Sequence, residues 1–454
     1  MLDTIAALAT PPVSGAVGII RISGPKACKI AGAVFFPAGK KELGQLPPRE
    51  LSFGEVRVNG ALLDRGMAAR FVAPYSYTGQ DAVELHLHGS LPVLSAALDA
   101  LYAAGARPAR PGEFTRRAFL HGKLSLSQAE AVMDLITAET RDAARNAAGQ
   151  LSGRVGRVFS EVYVHLSDML ANFYAVVDYP EQDIPDITAD DMAETLRACR
   201  DKLSALLATW NMGRHLREGV RCAITGRPNV GKSSLLNAFS GFDRAIVSAM
   251  PGTTRDTVEE TVTMGGVSLR LIDSAGIRSA GDDVESEGVR RARLAVRDAE
   301  LVFVVLDGSE PLSGDDRAVL DMARDKKCIV LINKGDLPQR IEAQTVEAAF
   351  LHVCTVSAVT GEGLALVDST IRNLFDSGGA VYDGQILTNA RQADALRRTV
   401  EGIEEALAAL TAGVTPDAVL SELERALSAL CELTGRRLSE DVVNRIFERF
   451  CVGK

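Results

Sequence analysis

The chain has 454 residues, of which 46% are apolar and 24% charged, and its formal net charge is −9 at pH 7. This composition is ordinary for a soluble globular protein. No apolar run approaches the roughly 20 residues that cross a bilayer, and the acidic balance argues against a broad nucleic-acid-coating surface, though not against a local basic patch or an RNA-carrying partner. At roughly 150 residues per domain the length suggests about three domains. Met1-Leu2-Asp3-Thr4 puts no basic segment ahead of an apolar one, so no secretory signal is expected. The seven cysteines (Cys28, Cys199, Cys222, Cys328, Cys354, Cys431 and Cys451) are scattered and lack Cys-x-x-Cys spacing. They read as reduced thiols of a cytoplasmic protein, not as a zinc site or disulfide frame.

Residues 1–118 read as an α/β domain. Thr4–Thr10 and Val17–Ile22 are strand-like, with Pro11-Pro12 and Ser14-Gly15 marking the loop between them. Gly66–Val72 and Ala82–His88 are further strand candidates, and Pro92–Ala104 is a helix with proline in its first turn. His86 and His88 alternate on one strand face, but no third ligand points to a metal site. Residues 119–217 are expected to be helical. No proline occurs between Pro111 and Pro180, and Ala129, Val132, Met133 and Ile136 recur at helical spacing. A long amphipathic helix is expected over Ser152–Val177, broken by Tyr179-Pro180-Glu181 and Ile184-Pro185-Asp186, and another over Ala189–Arg214.

Residues 218–377 alternate strand and helix, the pattern of a parallel sheet covered on both faces. Leu301–Leu306, Cys328–Ile332 and Leu351–Val356 are short apolar runs of the buried-strand kind. Val258–Ile272 instead reads as a hairpin turning at Met264-Gly265-Gly266. After Ser377-Gly378-Gly379, residues 378–454 return to helix. Leu396, Val400, Ile403, Leu407 and Leu410 form one apolar face, Leu423, Leu427 and Leu430 a second, and Val443, Ile446, Phe447 and Phe450 a third. Each helical flank alone has few helices to cover its apolar stripes. The two are therefore expected to be halves of one bundle into which the α/β domain is inserted.

The chemistry is concentrated in Gly226-Arg227-Pro228-Asn229-Val230-Gly231-Lys232-Ser233-Ser234. It is a P-loop pattern between a strand-like run, Val220–Ile224, and a helical one. Its glycines let successive N–H groups form an anion nest at a helix N-terminus. Lys232 is placed for β- and γ-phosphates, and the Ser233 hydroxyl for Mg²⁺. Guanine is indicated by Asn333-Lys334-Gly335-Asp336 at a strand end: a carboxylate takes the N1–H and N2–H donors that adenine does not offer as a pair, while the lysine stem covers the ring. Ser357-Ala358 completes the base pocket. Asp273-Ser274-Ala275-Gly276 supplies the Mg²⁺-side carboxylate and the γ-phosphate glycine, and Thr253-Thr254-Arg255-Asp256 a switch threonine. Ras-like enzymes orient the attacking water with a Gln just after the Asp-x-x-Gly motif; Ile277 stands there and cannot. The carboxylates of Asp282-Asp283-Val284-Glu285 lie near, although spacing alone favours a merely solvated acidic loop.

Together with Ala9-Thr10-Pro11-Pro12, Pro251-Gly252-Thr253-Thr254-Arg255-Asp256 and the terminal Cys451-Val452-Gly453-Lys454, these motifs resemble the MnmE (TrmE) family of tRNA modification GTPases along the whole chain. The G motifs alone would also fit the related Era and Der families. The resemblance implies a tetrahydrofolate-binding, dimerising N-terminal domain, a helical domain, and a Ras-like GTPase domain inserted in the latter. It implies K⁺ held by Asn229, Ser248, Met250 and Thr253, Mg²⁺ held by Ser233 and Thr254, and nucleotide contacts extending over Ala249, Pro251 and Gly252. It gives Glu285 the task of orienting the water, against the solvated-loop reading. Arg21, Glu84, Lys123 and Lys454 would contact a 5,10-methylene or 5-formyl tetrahydrofolate, and Cys451 would serve tRNA modification. Ser274 stands where the family usually has Thr, and Pro251 where a small residue is common. The basic row Arg107, Arg110, Arg116, Arg117 and Lys123 could meet phosphates or folate carboxylates, or equally form a solvated face. Implied partners are a second copy of the chain, the FAD-carrying flavoprotein MnmG (GidA) in a heterotetramer, and tRNA, modified at C5 of the wobble uridine. In the triphosphate state the two G domains would approach each other. Two other readings stand beside this: an Era-type ribosome-assembly switch, for which no Gly-x-x-Gly RNA-binding appendage is found, and a stand-alone folate aminomethyltransferase with a regulatory GTPase.

Overall fold

A computed structural model describes residues 3–39, 42–178, 188–242, 260–272, 285–375, 383–413, 416–435, 446–448 and 450–453. The breaks expected at 179–186, the Ser377-Gly378-Gly379 joint and Val443 lie outside these residues. The chain forms two compact units, one of residues 1–133, 150–200 and 398–454, the other of residues 134–149 and 201–397.

The first unit holds a seven-stranded sheet of β1 (Ile5–Leu8), β2 (Gly15–Ser23), β3 (Phe35–Pro37), β4 (Leu51–Val58), β5 (Ala61–Phe71), β6 (Ala82–Gly89) and β7 (Arg107–Pro108). Their order is β3-β4-β5-β6-β2-β1-β7. Neighbours are antiparallel except β1 and β7. Helices α1 (Ala27–Gly32) and α2 (Leu91–Ala103) cover one face, packing Ile30, Leu94 and Leu101 on Ala6, Ile20, Ile22, Val83 and Leu85. Strand alternation sends Ile5 and Ala7 to the other side, where Phe114 of α3 (Glu113–Leu120) meets them. Helices α4 (Leu126–Ile136), α6 (Arg154–Asp178) and the first part of α7 (Ala189–Ala208) follow in this unit, whereas most of α5 (Arg141–Leu151) belongs to the second. Near the C-terminus the helix Pro416–Thr434 packs along α6, and Phe447 and Phe450 bury themselves beside Ala129 of α4.

The second unit holds a six-stranded sheet of β8 (Val220–Thr225), β9 (Glu260–Met264), β10 (Val267–Leu271), β11 (Leu301–Asp307), β12 (Lys327–Asn333) and β13 (Val353–Thr355). The order is β13-β12-β11-β8-β10-β9, parallel except for the β9–β10 hairpin. The hairpin turns on Gly265 and Gly266, both at positive φ (62° and 77°), the geometry a two-residue turn requires. Alternate residues of the central strands feed two cores. Leu301, Phe303, Val305, Ile329 and Leu331 pack with α9 (Lys232–Phe242) and the helix Leu364–Phe375. Val302, Val304, Leu306, Val330 and Ile332 pack with α10 (Glu285–Asp298) and α11 (Gly314–Ala323).

The single helix expected over Ala189–Arg214 is instead two, α7 and α8 (Trp210–Glu218). The break falls at Thr209, whose hydroxyl donates to Leu206 O (2.7 Å) and accepts from Leu387 N (3.0 Å). A side chain bonded locally and to another segment competes with the helical ladder. Segments from both sides of the sheet meet here in the same unit. Asn146 Nδ2 donates to Ile386 O (3.0 Å), its Oδ1 accepts from Gly384 N (3.1 Å), and Thr388 Oγ1 donates to Asp134 Oδ2 (2.7 Å).

Candidate functional site

β8, β11 and β12 end on the same edge of the parallel sheet, the edge where open α/β sheets bind ligands. The loop leaving β8 runs Gly226–Gly231 into α9. Two of its positions admit only glycine. A Cβ on Gly226 would stand 2.4 Å from Val305 O, and one on Gly231 2.3 Å from Asn333 Nδ2. Asn229 adopts a left-handed φ of 62° and is exposed, as are Ser233 and Ser234 in the first turn of α9; Val230 is buried. Lys232 Nζ folds back on the loop, donating to Gly226 O (2.7 Å) and Arg227 O (2.6 Å). Burial lowers its pKa from the ordinary lysine value.

The base motif is bound to this loop through one side chain. Asn333 is buried, donates Nδ2–H to Val230 O (2.8 Å), and accepts at Oδ1 from Ala358 N (3.1 Å). Gly335 N donates to Val356 O (2.9 Å). Ser357 Oγ donates to Asp336 Oδ1 (2.6 Å), fixing the orientation of an exposed carboxylate. Asn229–Ser234, Asn333–Asp336 and Ser357–Ala358 therefore converge on one edge. Ser248–Thr254, Asp273–Gly276, Ile277 and Asp282–Val284 lie outside the described residues, and Glu285 is described only as the first residue of α10.

Two features of this edge escape a motif search. Arg227 donates from Nε to Asp316 Oδ1 (2.7 Å) and from Nη2 to Glu310 Oε2 (3.1 Å), while Asp316 Oδ2 accepts from Ser313 N and Oγ at the start of α11. The P-loop is thus held from outside as well. Asp307, the last residue of β11, pairs with Lys334 at 2.5 Å. Its one sequence signal is its place: the first polar residue after the apolar run Leu301–Leu306.

In the first unit, β2 and β6 set Arg21 opposite Glu84, with Nε 2.9 Å from Oε1. The guanidinium lies over the rings of Tyr77 (5.4 Å) and Phe114 (5.7 Å), and its Nη1 donates to Gly453 O (3.4 Å). Lys123 is exposed beside Gly79, in the loop that carries Tyr77. The tail is also tied to the start of α3: Gly112 N donates to Cys451 O (3.2 Å), and the Cys451 thiol is exposed. Lys454 is outside the described residues.

The basic row needs correcting. Arg107 and Arg117 form neither a solvated face nor a free phosphate-binding surface. Arg117 is fully buried at 0% exposure. Its guanidinium donates to Asp3 Oδ1 (2.9 Å), Asp3 O, Gln80 Oε1 and Glu113 Oε1 (each 3.0 Å), and Arg107 reaches both Asp3 and Glu113 at 2.6 Å. Burial alone would push the Glu113 carboxyl up, but hydrogen bonds from Arg107, the Arg110 amide and Arg117 outweigh it and hold it below the usual range. Removing one partner of such a cluster leaves the others buried and unpaired. Arg117→Met is therefore expected to cost about 3–5 kcal/mol by chemical denaturation. Because the Glu113 pKa is depressed on folding, its contribution is present at neutral pH and lost as pH falls through the folded value. The variant's stability should depend less steeply on acid pH than the wild type's.

A Gly-x₄-Gly-Lys-Ser loop between a parallel strand and a helix, tied by a buried asparagine to Asn-Lys-x-Asp at the next strand end but one, defines a P-loop nucleotide-binding domain. Family models place it further: one described as the MnmE helical domain matches residues 126–451, and one described as the GTP-binding protein TrmE N-terminus matches residues 4–123. The chain belongs to the MnmE family. A protein of Roseiflexus sp. (strain RS-1) named tRNA modification GTPase MnmE is 42% identical over 100% of this chain and 99% of its own length. One of the same name from Acetivibrio thermocellus is 40% identical over the same shares. Among solved structures, the G domain of the T. maritima FeoB iron transporter is 30% identical over 34% of this chain and 97% of its own, with a TM-score of 0.26.

Proposed function

We propose that the chain is a potassium-dependent GTPase that modifies tRNA. The observation that carries this reading is the Asn333 tether, which joins the Gly226–Gly231 loop to the Asn333–Asp336 and Ser357–Ala358 segments at one sheet edge. The full-length likeness to proteins named tRNA modification GTPase supports the rest.

The chain's own groups divide the work. Asp336, oriented by Ser357, accepts guanine N1–H and N2–H. Lys232 exchanges two loop carbonyls for β- and γ-phosphate oxygens, and the anionic partner offsets the desolvation of its ammonium. Ser233, exposed at the start of α9, and Thr254 hold Mg²⁺. Asn229, exposed on the loop at a left-handed turn, offers an oxygen to K⁺ together with Ser248, Met250 and Thr253. Held by these residues, K⁺ would supply the positive charge that an arginine finger supplies elsewhere. The P-loop's own Arg227 is engaged by Asp316 and Glu310, which supports a separate cation. Glu285 orients the attacking water.

In the N-terminal domain, Glu84 is the pterin partner and the Tyr77 and Phe114 rings offer stacking surface. Glu84 Oε1 takes Arg21 Nε, while its Oε2 has His86 Nε2 only at 3.6 Å and so keeps room for a pterin amide and amine. Arg21 is already paired, so Lys123 and Lys454 carry more of the recognition of the folate glutamate tail. The chain acts in the cytoplasm as a homodimer with the flavoprotein MnmG, which brings FAD and most of the tRNA contacts. The G domain is an insert in the helical domain, a reading supported by the Asn146 and Thr388 contacts between its flanks. Cys451 serves the modification step.

The test uses the purified full chain, the flavoprotein, tRNA, GTP, methylene-tetrahydrofolate, and glycine or ammonium, with nucleosides read by mass spectrometry. A C5-aminomethyl-type wobble uridine is expected only when both proteins and GTP are present. Product without the flavoprotein would favour a stand-alone transferase, and none from the complete mixture would defeat the proposal.

A further inference from the structure

Asp307 has no place in the nucleotide chemistry above, yet it pairs with Lys334 of the base motif. Asp307 ends β11 and stands in register with Asn333, the end of β12. It is 5% exposed, and both carboxylate oxygens are engaged. Oδ2 accepts from Lys334 Nζ at 2.5 Å, and Oδ1 accepts from Ser309 Oγ (2.6 Å) and Ser309 N (3.0 Å). Burial would push its carboxyl up, but the bonds from Lys334 and Ser309 prevail and hold it below the usual range. The next residue, Gly308, donates its N–H to Asn333 O (2.9 Å). The end of β11 is thus fastened to both leading residues of the base motif.

Lys334 itself has a left-handed φ of 63°. From that turn its side chain reaches from the end of β12 to the end of β11, with only its ammonium fixed by an ion pair. A lysine stem is otherwise flexible and loses much rotamer freedom when held. Ordering it before the ligand arrives removes that loss from the binding step.

We propose that Asp307 is a positioning residue for guanine binding: it anchors the Lys334 ammonium so that the stem forms a fixed apolar ledge for the purine ring. Ser309 in turn locks the Asp307 carboxylate. This rests on the guanine reading of the Asn333–Asp336 pocket.

The experiment measures release of a fluorescent GDP analogue, and equilibrium GDP and ADP affinities, for the full-length protein and five variants, each checked by thermal melting. Asp307→Ala is expected to raise the GDP dissociation constant about tenfold, mainly through faster release. Asp307→Asn, which keeps an acceptor without the charge, should fall between, and Ser309→Ala should give a smaller loss in the same direction. Because Asp307 acts through Lys334, adding Asp307→Ala to Lys334→Ala should cost nothing further. Losses that multiply in the double variant, or wild-type release from Asp307→Ala, would overturn the proposal. If Asp307→Ala does not fold, wild-type release from both Asp307→Asn and Ser309→Ala overturns it. Wild-type protein binding ADP as tightly as GDP would instead sink the guanine reading beneath it.

Discussion

Asp336→Asn is expected to weaken GDP binding by about two orders of magnitude or more and to create affinity for xanthosine diphosphate. A carboxylate accepts two hydrogen bonds from guanine, each charge-assisted and worth about 1.5–3 kcal/mol. The amide keeps one acceptor for N1–H but turns a donor toward the guanine amino group. Together these losses correspond to roughly 10²–10⁴ in affinity. Xanthine carries a carbonyl where guanine has that amine, so the asparagine donor finds a partner. Asp336 is exposed and its fixed contact is the Ser357 hydroxyl, so the variant should fold normally. Titration with both diphosphates reads the exchange, and unchanged GDP affinity in the variant would show that the base lies elsewhere.

The second large effect concerns the cation. Replacing potassium by sodium at constant ionic strength is expected to lower kcat for GTP by about 10³, at the lower end of what an arginine finger contributes. Sodium is smaller and cannot touch the same oxygens at once. Asn229→Ala in potassium should fall to a similar rate. GDP affinity should hardly change, because the cation acts on charge that develops in the transition state. Asn tolerates the left-handed turn at this position better than most residues, so the affinity measurement also controls for loop distortion. Equal turnover in the two salts would remove the cation from the mechanism and return attention to side-chain donors.

The two sheets were legible to very different degrees, for physical reasons. β8, β11 and β12 are buried on both faces, so their apolar runs stand out, and the P-loop and base motif fall at their ends. The β9–β10 turn is written in Gly265-Gly266. β3, β4, the first half of β5 and α1 were not legible. Gly54 and Gly66 sit opposite each other in mid-strand, where glycine weakens the strand pattern. They are there for close approach: a Cβ would stand 2.4 Å from Phe36 O at Gly54 and 2.4 Å from His86 O at Gly66. The pattern is blurred further because Phe53 and Met67 are exposed.

The sites show the same division. Motif residues could be placed from spacing, but their restraints could not. Arg117 looked like one more cation in a basic row, because its partner Asp3 is 114 residues away. Arg227 and Asp316, and Asp307 and Lys334, are likewise brought together only by the fold. The aromatic pair flanking Arg21 comes from a loop and from α3, and neither carries a motif.

The measurement closest to the central claim is calorimetric titration of the wild-type protein with GDP and with ADP in the presence of Mg²⁺. The account predicts tight GDP binding and ADP binding weaker by at least about 10³, since adenine offers the Asp336 carboxylate, oriented by Ser357, no pair of N–H donors. Comparable affinities for the two nucleotides would contradict it.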